Sequence, residues 1–494
     1  MSHYDVAVIG SGFAGSLFAM IARRQGRSVV LIEKGKHPRF AIGESSTPLS
    51  NLLLEELAFR YDLPGIAPLA KWGSWQKSYP QLDCGLKRGF TFYHHQFGRH
   101  LNREDQLLVA ASPHDRIADT HWHRAPVDEH FLHEAQRIGV DYVDQVNLRD
   151  VSEQSESIKL DGITARFVVD ATGPRGFLHG ALSLPELPLP DFPATQALFT
   201  HFRGVGRMPA EADEPPYPVD DAAVHHVFDG GWIWILRFRS GITSAGVAME
   251  QDLAERINLS EGAPAWERLM EMLPTVREQF ADATVERSFI YTPRLAFRSG
   301  VIVGKRWAML PSAAGFVDPL LSTGFPLTLL GVTRLAAIMN ENWDAELLST
   351  YATETSEELL ATARLIGTLY ASMENFPLFV SLSLLYFAAA SFSETARRLE
   401  RPHLAKSFLL HDHPDFGALL PAIFERARLV RDQGGTRKLN EEIIRLIEPF
   451  NVAGLGRPER RNWYPVEALD LFEAAPKLGA DHTAIQSLLD RCGF

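Results

Sequence analysis

The chain has 494 residues, 46% of them hydrophobic and 22% charged, which is typical of a soluble globular protein with two or three subdomains. A net charge of −12, without a long run of lysine or arginine, argues against a nucleic-acid partner. Cys84 and Cys492 cannot build a disulfide framework and lack zinc-site spacing, so we expect a reducing compartment and no metal. An apolar strand begins by Val6 and leaves no room for a signal peptide, which predicts a cytoplasmic protein.

Residues 5–33 predict a β-α-β unit with a glycine-rich turn. An apolar run over residues 6–9 leads into GSGFAG at residues 10–15, and a second apolar run ends at Glu33. Such glycines allow a tight turn, close approach of backbone to a pyrophosphate and close helix–strand packing, while the helix N-terminus attracts phosphate. An ordinary glycine loop would not explain Glu33, which stands where an acid binds ribose hydroxyls. The unit predicts a dinucleotide site containing Gly10, Gly12, Phe13, Ala14, Gly15, Glu33 and Lys34.

Two later strand ends distinguish FAD from NAD. The apolar segment 163–173 ends in Asp-Ala-Thr-Gly, and the segment 300–324 leads through a small-residue turn to Asp318 and a helix start at Thr323. An acid beside a helix N-terminus can bind a ribityl or ribose hydroxyl. In this order, the segments resemble the FAD-binding fold of aromatic hydroxylases and their relatives. The resemblance implies cofactor contacts from Asp170, Ala171, Gly173, Asp318, Pro319, Gly324 and Phe325.

The resemblance implies an α/β fold: a Rossmann-like FAD-binding fold of the aromatic-hydroxylase type, a mixed substrate-side β-sheet and a helical C-terminal region. We expect a core over 1–340, with the substrate-side sheet inserted at about 185–300, and a helical region over 341–494 that covers the substrate chamber. Apolar periodicity predicts helices over 355–375 and 393–411. The apolar stretch 376–392 predicts a buried helix or cavity wall, with a membrane-facing surface as the alternative.

Four short motifs narrow the family. They are HPRF at 37–40 followed by GESSTP at 43–48, CGLKRGF at 84–90, GWIWIL at 231–236 and DPLLSTG at 318–324. Together they resemble the flavin-dependent halogenases, in particular the subgroup that acts on phenols and pyrroles and is related to the tryptophan halogenases. The family's paired-tryptophan motif usually ends in Ile-Pro, where this chain has Leu236-Arg237, and Leu321 stands where tryptophan halogenases carry Glu. Both departures argue against free tryptophan as substrate.

The halogenase resemblance implies a reaction and a candidate catalytic residue. FADH2, oxygen and a halide (chloride or bromide) would yield hypohalous acid, which halogenates an electron-rich phenolic substrate through an active-site lysine. Lys87 in the CGLKRGF motif is the candidate, with Lys71, Lys77 and Arg88 as rivals. A buried lysine suits this role because its pKa falls readily on burial.

The resemblance also assigns further site residues. Backbone donors at Ser322, Thr323 and Gly324 would bind the halide. Trp232 and Trp234 share one face of a predicted strand and would shield the flavin, with plain aromatic core packing as the alternative. Additional cofactor contacts are implied for Gly43, Glu44, Ser45 and Arg124.

The remaining expectations concern the general base and the partners of the protein. The base that draws the proton from a phenol stays open among His94, His95, Asp83 and Tyr93. We expect a separate flavin reductase that supplies FADH2, a small aromatic substrate that is free or carrier-protein bound, and a monomer or homodimer without stable membrane insertion. The alternatives are a flavin-dependent monooxygenase or dehydrogenase on a halogenase-like frame, and a non-catalytic FAD-binding protein at a membrane surface.

Overall fold

The computed structural model describes residues 3–102, 104–209 and 214–494. The strands in this part of the chain are β1 (His3–Ile9), β2 (Val29–Ile32), β3 (Cys84–Lys87), β4 (Gly89–His94), β5 (Gln106–Ala110), β6 (Asp119–Trp122), β7 (Asp141–Val143), β8 (Val151–Glu153), β9 (Ile158–Leu160), β10 (Ile163–Asp170), β11 (Thr195–Arg203), β12 (Ala223–Phe228), β13 (Gly231–Arg237), β14 (Ile242–Glu250), β15 (Thr284–Val285), β16 (Ile290–Thr292), β17 (Phe297–Arg298), β18 (Trp307–Met309), β19 (Gly315–Phe316) and β20 (Trp463–Tyr464).

The α-helices of the described residues are α1 (Phe13–Arg24), α2 (Pro48–Arg60), α3 (Trp72–Ser78), α4 (Arg124–Arg137), α5 (Phe177–Ala181), α6 (Gln251–Arg256), α7 (Ala263–Met272), α8 (Pro274–Gln279), α9 (Pro311–Ala314), α10 (Gly324–Asn340), α11 (Ala345–Tyr370), α12 (Phe376–Arg398), α13 (Leu420–Leu429), α14 (Gln433–Ile447), α15 (Ala468–Glu473) and α16 (His482–Cys492).

The first sheet carries the predicted β-α-β unit. Its strands follow the order β7-β2-β1-β10-β9-β8, with β18 also paired to β10. The strands β2, β1, β10 and β18 run parallel, so their carboxyl ends meet at one edge. Residues 6–9 and 29–32 are all buried, as expected for parallel strands covered on both faces. In open α/β sheets, ligands bind outside this carboxyl edge.

The second sheet carries the paired tryptophans. Its order is β15-β11-β14-β13-β12-β4-β5-β20, with β16 also paired to β11. Most of it comes from the expected inserted segment, but β4 and β5 precede that segment and β20 follows it. The division at residues 340 and 341 stays a prediction. A separate antiparallel pair, β3–β6, places Lys87 directly opposite Asp119.

The C-terminal helices form the wall of a cavity. Among the described helices, α12 is long and apolar enough to span a membrane, with a mean hydropathy of 1.7, but 83% of that apolar window is buried inside the protein. The interpretation of 376–392 as a buried helix is therefore confirmed. The helix predicted over 393–411 is wrong beyond Arg398, where α12 ends. Pro402 lies shortly after and lacks the backbone N–H that a continuing helix needs.

Candidate active site

The turn between β1 and α1 is shaped by close backbone contacts. Gly10 has a φ of +95°, and a Cβ there would lie 2.7 Å from the Ala171 carbonyl oxygen. A Cβ on Gly15 would lie 1.9 Å from the Gly10 carbonyl oxygen. At Gly12, by contrast, the nearest atom to such a Cβ is Arg124 Nη2 at 3.5 Å. Gly10 and Gly15 are thus required for packing, whereas Gly12 faces space bordered by charged side chains.

Two arginines border this turn and supply positive charge. The Arg124 guanidinium donates to both carboxylate oxygens of Asp128 at 2.9 Å and to the carbonyl oxygens of Ile42 and Gly43. Arg39 Nη2 would lie 3.8 Å from a Cβ on Gly12. Backbone space, a helix N-terminus and two cations fit the pyrophosphate of FAD. Arg39 was not among the predicted site residues, although the HPRF motif contains it.

Glu33 lies at the end of β2, as predicted, and is held by a dense hydrogen-bond network. Its carboxylate accepts hydrogen bonds from the Ser11 backbone N–H and hydroxyl, from the Gly35 N–H and from Arg39. Burial alone would raise the pKa of Glu33, but the Gly35 and Ser11 donors and Arg39 lower it to about 2. Glu33 is therefore a carboxylate at neutral pH, as ribose recognition requires. The neighbouring Lys34 is exposed.

The loop after β10 packs against the first turn. Asp170 accepts hydrogen bonds from the Thr172 N–H and hydroxyl and from the Leu178 N–H, and burial raises its pKa. Its carboxylate therefore holds the loop, and a contact with a cofactor would have to come from the backbone around Ala171. Gly173 has a φ of +87°, a conformation in which glycine avoids strain.

A hydrogen-bonded chain joins Asp318 to the paired tryptophans. The Tyr370 hydroxyl, at the end of α11, donates to Asp318 Oδ2 at 2.9 Å, and Trp232 Nε1 donates to the Tyr370 oxygen at 3.1 Å. Burial raises the pKa of Asp318 to about 7, against the lowering effect of the Leu320 N–H and Tyr370. These hydrogen bonds connect Asp318, in the segment after β18, with Trp232 on β13 of the second sheet. Sequence reasoning missed Tyr370 because it lies far along the chain in an otherwise ordinary helix.

Replacement of Tyr370 with phenylalanine is expected to lower the free energy of unfolding by about 1–3 kcal/mol, because Asp318 and Trp232 each lose a buried partner. Urea unfolding would measure the change. The control is Tyr291→Phe, whose hydroxyl donates to Gln196 in a partly buried position and should cost less than about 1 kcal/mol. Equal losses in the two variants would contradict the special role of Tyr370.

The paired tryptophans and the start of α10 lie as predicted. Trp232 and Trp234 share one face of β13, with ring centroids 5.7 Å apart and both rings buried. Ser322 has a φ of +54°, its N–H bonds to the Pro319 carbonyl, and Thr323 precedes the first residue of α10, Gly324. The next residue, Phe325, stacks on Phe13 at 4.8 Å. This stacking brings the N-termini of α1 and α10 together.

The GESSTP segment lies against the second sheet. Glu44 Oε1 lies 3.0 Å from His201 Nε2, and both side chains are buried. Ser45 forms a bridge with His121 of β6. The segment therefore connects the region of Arg124 with the β3–β6 pair. His201 was not among the predicted site residues.

Lys87 is fully buried at the end of β3. Its Nζ donates to the Ser46 carbonyl oxygen at 2.6 Å and lies 3.8 Å from the centroid of the Phe90 ring. Burial lowers the pKa of Lys87, and the Asp119 carboxylate opposes this effect. Burial also holds the pKa of His121 and His225, which face the same ammonium, down to about 3. The imidazoles near Lys87 are therefore neutral, and Lys87 remains the candidate for the catalytic lysine.

The rival cations have ordinary surroundings. Lys71 pairs with Glu55 at 2.5 Å, Arg88 pairs with Asp115 at 2.7 Å, and Lys77 is exposed. Each of the three thus has the contacts of a structural or solvated surface charge.

A cavity of about 170 Å³ is lined by Phe90, the ring that Lys87 Nζ contacts. It lies between α2, β4, α12 and α16, and its wall includes Asn51, Phe90, Asp119, Tyr386 and Phe387. Pro326, in the first turn of α10, also lines it. The cavity is therefore lined by aromatic side chains and extends toward the start of α10. Its wall also includes the Asp119 carboxylate, which lies opposite Lys87.

The four candidate bases lie elsewhere. Tyr93 and His95 alternate with Phe90 on β4 and its extension, so they face away from the cavity, and both contact His226. His94 stacks on Phe376 beside a second cavity. Asp83 binds His123 and Ser240. Nearness to Lys87 in sequence was misleading: Tyr93 and His95 point to the opposite face of β4, His94 lies at the far end of that strand, and Asp83 lies before β3.

Comparison with known proteins identifies the family. Residues 5–316 match the model of the FAD dependent oxidoreductase family. The tetracycline 7-halogenase of Kitasatospora aureofaciens is 29% identical over 78% of this chain and 73% of its own length. The monodechloroaminopyrrolnitrin halogenase PrnC of Pseudomonas fluorescens is 28% identical over 68% of this chain, and the match spans 61% of PrnC.

The fold has a solved counterpart. The crystal structure of halogenase PltM in complex with phloroglucinol and FAD superposes with a TM-score of 0.82 at 24% identity, over 93% of this chain and 99% of PltM. This likeness confirms the predicted α/β architecture with a Rossmann-like FAD-binding fold. The chain therefore belongs to the FAD dependent oxidoreductase family and, within it, to the flavin-dependent halogenases.

Proposed function

We propose that this protein uses FADH2, oxygen and a halide to make hypohalous acid, and that Lys87 directs this oxidant to a phenolic substrate. The observation that carries the proposal is the placement of a fully buried lysine beside an aromatic cavity, with its Nζ over the Phe90 ring. A separate flavin reductase would supply the FADH2. The substrate would be a small electron-rich aromatic, free or attached to a carrier protein.

Three strand ends would hold FAD. The pyrophosphate would lie at Gly12 between Arg39 and Arg124, and Glu33 would bind ribose hydroxyls. Asp318, Pro319 and the start of α10 would complete the site from the third strand end. Bound reduced FAD would supply, with oxygen and halide, the hypohalous acid. Trp232 and Trp234 would exclude the organic substrate from the flavin, which disfavours oxygen transfer to the ring.

The halide would bind at the N-terminus of α10. The Ser322 N–H is already bonded to the Pro319 carbonyl, so Ser322 would shape the turn while the backbone N–H groups of Thr323 and Gly324 attract the anion without a neighbouring cation. Pro326 follows within the same turn and lines the cavity, so a short path would connect this site with the substrate chamber. The buried surroundings of the path would keep the oxidant from water.

Lys87 would hold and polarise the hypohalous acid. An ammonium donates hydrogen bonds to the hydroxyl oxygen and so weakens the bond between oxygen and halogen. Because burial lowers the pKa of Lys87, it can also release its proton more easily than a surface lysine does. Both properties suit a group that delivers an electrophile and then donates a proton.

The cavity supports a single-ring substrate. Its volume of about 170 Å³ lies below the roughly 300–1,000 Å³ of pockets for drug-sized ligands, and aromatic side chains from β4 and α12 line it. A phenol matches both features. The phloroglucinol bound to PltM, a protein of the same fold, supports this substrate class.

A product assay by mass spectrometry tests the proposal. The purified protein would receive FAD, a flavin reductase, NADH, oxygen and bromide, with a panel of phenols, resorcinols and pyrroles. We expect a bromide-dependent mass gain on phenols. Oxygen insertion without halide, or NADH oxidation without the reductase, would instead support the alternative, a flavin-dependent monooxygenase or dehydrogenase.

A further inference from the structure

Asp119 has an unpartnered carboxylate oxygen in the cavity wall. The residue begins β6 and is only 3% exposed. Its Oδ1 accepts a hydrogen bond from Asn51 Nδ2 at 2.8 Å, whereas its Oδ2 has no hydrogen-bond partner among the described residues. A buried acceptor without a partner is costly, so its presence points to a ligand that donates a hydrogen bond.

The other acidic side chains of the cavity wall differ in this respect. Glu55 pairs with Lys71, Glu394 with Arg398 and Glu467 with Arg460. Each of these glutamates already has a cationic partner. Asp119 has instead a lysine directly across the β3–β6 pair, where opposite side chains lie on one face of the ladder. The carboxylate thus lines the cavity, and the ammonium lies on the same face of the β3–β6 pair, against the Phe90 ring that also lines the cavity.

We propose that Asp119 binds the ring hydroxyl of the phenolic substrate and takes its proton during halogenation. This assignment rests on the proposed function and names the base for it. Removal of that proton raises the electron density of the ring carbons ortho and para to the oxygen, where the halogen bond forms.

The step balances with the groups present. As Asp119 takes the hydroxyl proton, an electron pair of the ring forms the carbon–halogen bond and the halogen–oxygen bond of hypohalous acid breaks. The released hydroxide takes a proton from the Lys87 ammonium and becomes water. The halogenated ring carbon then loses its hydrogen as a proton to the Lys87 amine, and Asp119 returns its proton to the ring oxygen. The net products are the halophenol and water.

Burial makes this carboxyl more basic than an ordinary one. Burial raises the pKa of Asp119, against the lowering effect of Lys87 on β3, Asn51 on α2 and Arg398 on α12, while Glu394 on α12 raises it further. Tyr386 on α12 also faces Asp119. A base must be ionised to act, so we expect phenol halogenation to fall as the pH drops through a range above that of an ordinary aspartate.

A binding experiment tests the assignment without turnover. Binding of phenol and of its methyl ether, anisole, to the protein loaded with oxidised FAD would be measured by calorimetry for wild type and Asp119→Asn. Wild type should bind phenol roughly ten- to a hundredfold more tightly than anisole, and the variant should lose this preference. The control, Asp83→Asn, should keep it. A wild type without the preference, or a variant that retains it, would overturn the assignment.

A rate experiment separates this assignment from the proposed function. Asp119→Asn should halogenate phenol roughly 10²- to 10⁴-fold more slowly than wild type. Anisole has no hydroxyl proton, so any slow halogenation of it should be unchanged. Equal rates on phenol would overturn the base while leaving halogenase activity standing. Phenol preference in binding, lost in Asp119→Asn, with no halogenated product from wild type would instead reject the proposed function and keep Asp119 as the phenol-binding group.

Discussion

Replacement of Lys87 with alanine is expected to lower halogenation at least about a hundredfold while FAD binding and flavin reoxidation persist. Its Nζ is held between the Ser46 carbonyl oxygen and the Phe90 ring, beside the cavity rather than beside the glycine turn. Loss of the ammonium therefore removes delivery of the oxidant without removing a predicted cofactor contact. Product analysis by mass spectrometry, run in parallel with oxygen consumption, would measure both quantities.

Two further variants test whether the loss of halogenation in Lys87→Ala comes from the missing ammonium. Lys87→Met fills the same space without a charge and should be as inactive as alanine, which separates the loss of the ammonium from the loss of packing. Lys77→Ala removes an exposed lysine of the same region and should keep wild-type activity. Halogenation by Lys87→Met at the wild-type rate would disprove the role of the ammonium.

Alanine substitutions at two glycines of the first turn are expected to affect different quantities, stability at Gly15 and FAD affinity at Gly12. Gly15→Ala would place a Cβ 1.9 Å from the Gly10 carbonyl oxygen, so we expect the free energy of unfolding to drop by at least about 2 kcal/mol. Gly12→Ala meets side-chain atoms no closer than 3.5 Å, so the fold should persist. Because its methyl group would occupy the space assigned to the pyrophosphate, FAD affinity should fall at least about tenfold.

Thermal unfolding and fluorescence titration with FAD would measure these two effects. Gly180→Ala is the matched control: a Cβ there meets no atom within 4 Å, so this change should lower neither the stability nor the FAD affinity. Unchanged FAD affinity in a folded Gly12→Ala variant would move the pyrophosphate away from this turn. An unchanged unfolding transition in Gly15→Ala would contradict the packing described for β1 and α1.

Local patterns were sufficient for much of the fold. The apolar runs that flank residues 10–15 correspond to β1 and β2, and the paired tryptophans lie on one face of β13, because strand and helix periodicities are properties of neighbouring residues. The helix predicted beyond Arg398 was wrong, since apolar spacing alone does not show where a helix ends.

Local sequence patterns could not predict which side chains face one another in the fold. Asp119 looks unremarkable in the sequence, and it meets Lys87 only through the register of β3 with β6. Tyr370 likewise reaches Asp318 and Trp232 from a distant helix. Two of the candidate bases nearest Lys87 in sequence, Tyr93 and His95, lie outside the cavity because proximity along a strand does not imply a shared face.

The sequence by itself determined the glycine turn, the acid after β2, the tryptophan pair and the candidate lysine, since each is a short-range pattern of residue types. Only the tertiary structure decided that Lys87 is buried, that its neighbours are neutral imidazoles and a carboxylate, and that an aromatic cavity lies next to it. Burial and charge pairing arise from contacts between segments far apart in the chain, and these contacts set the pKa of each group.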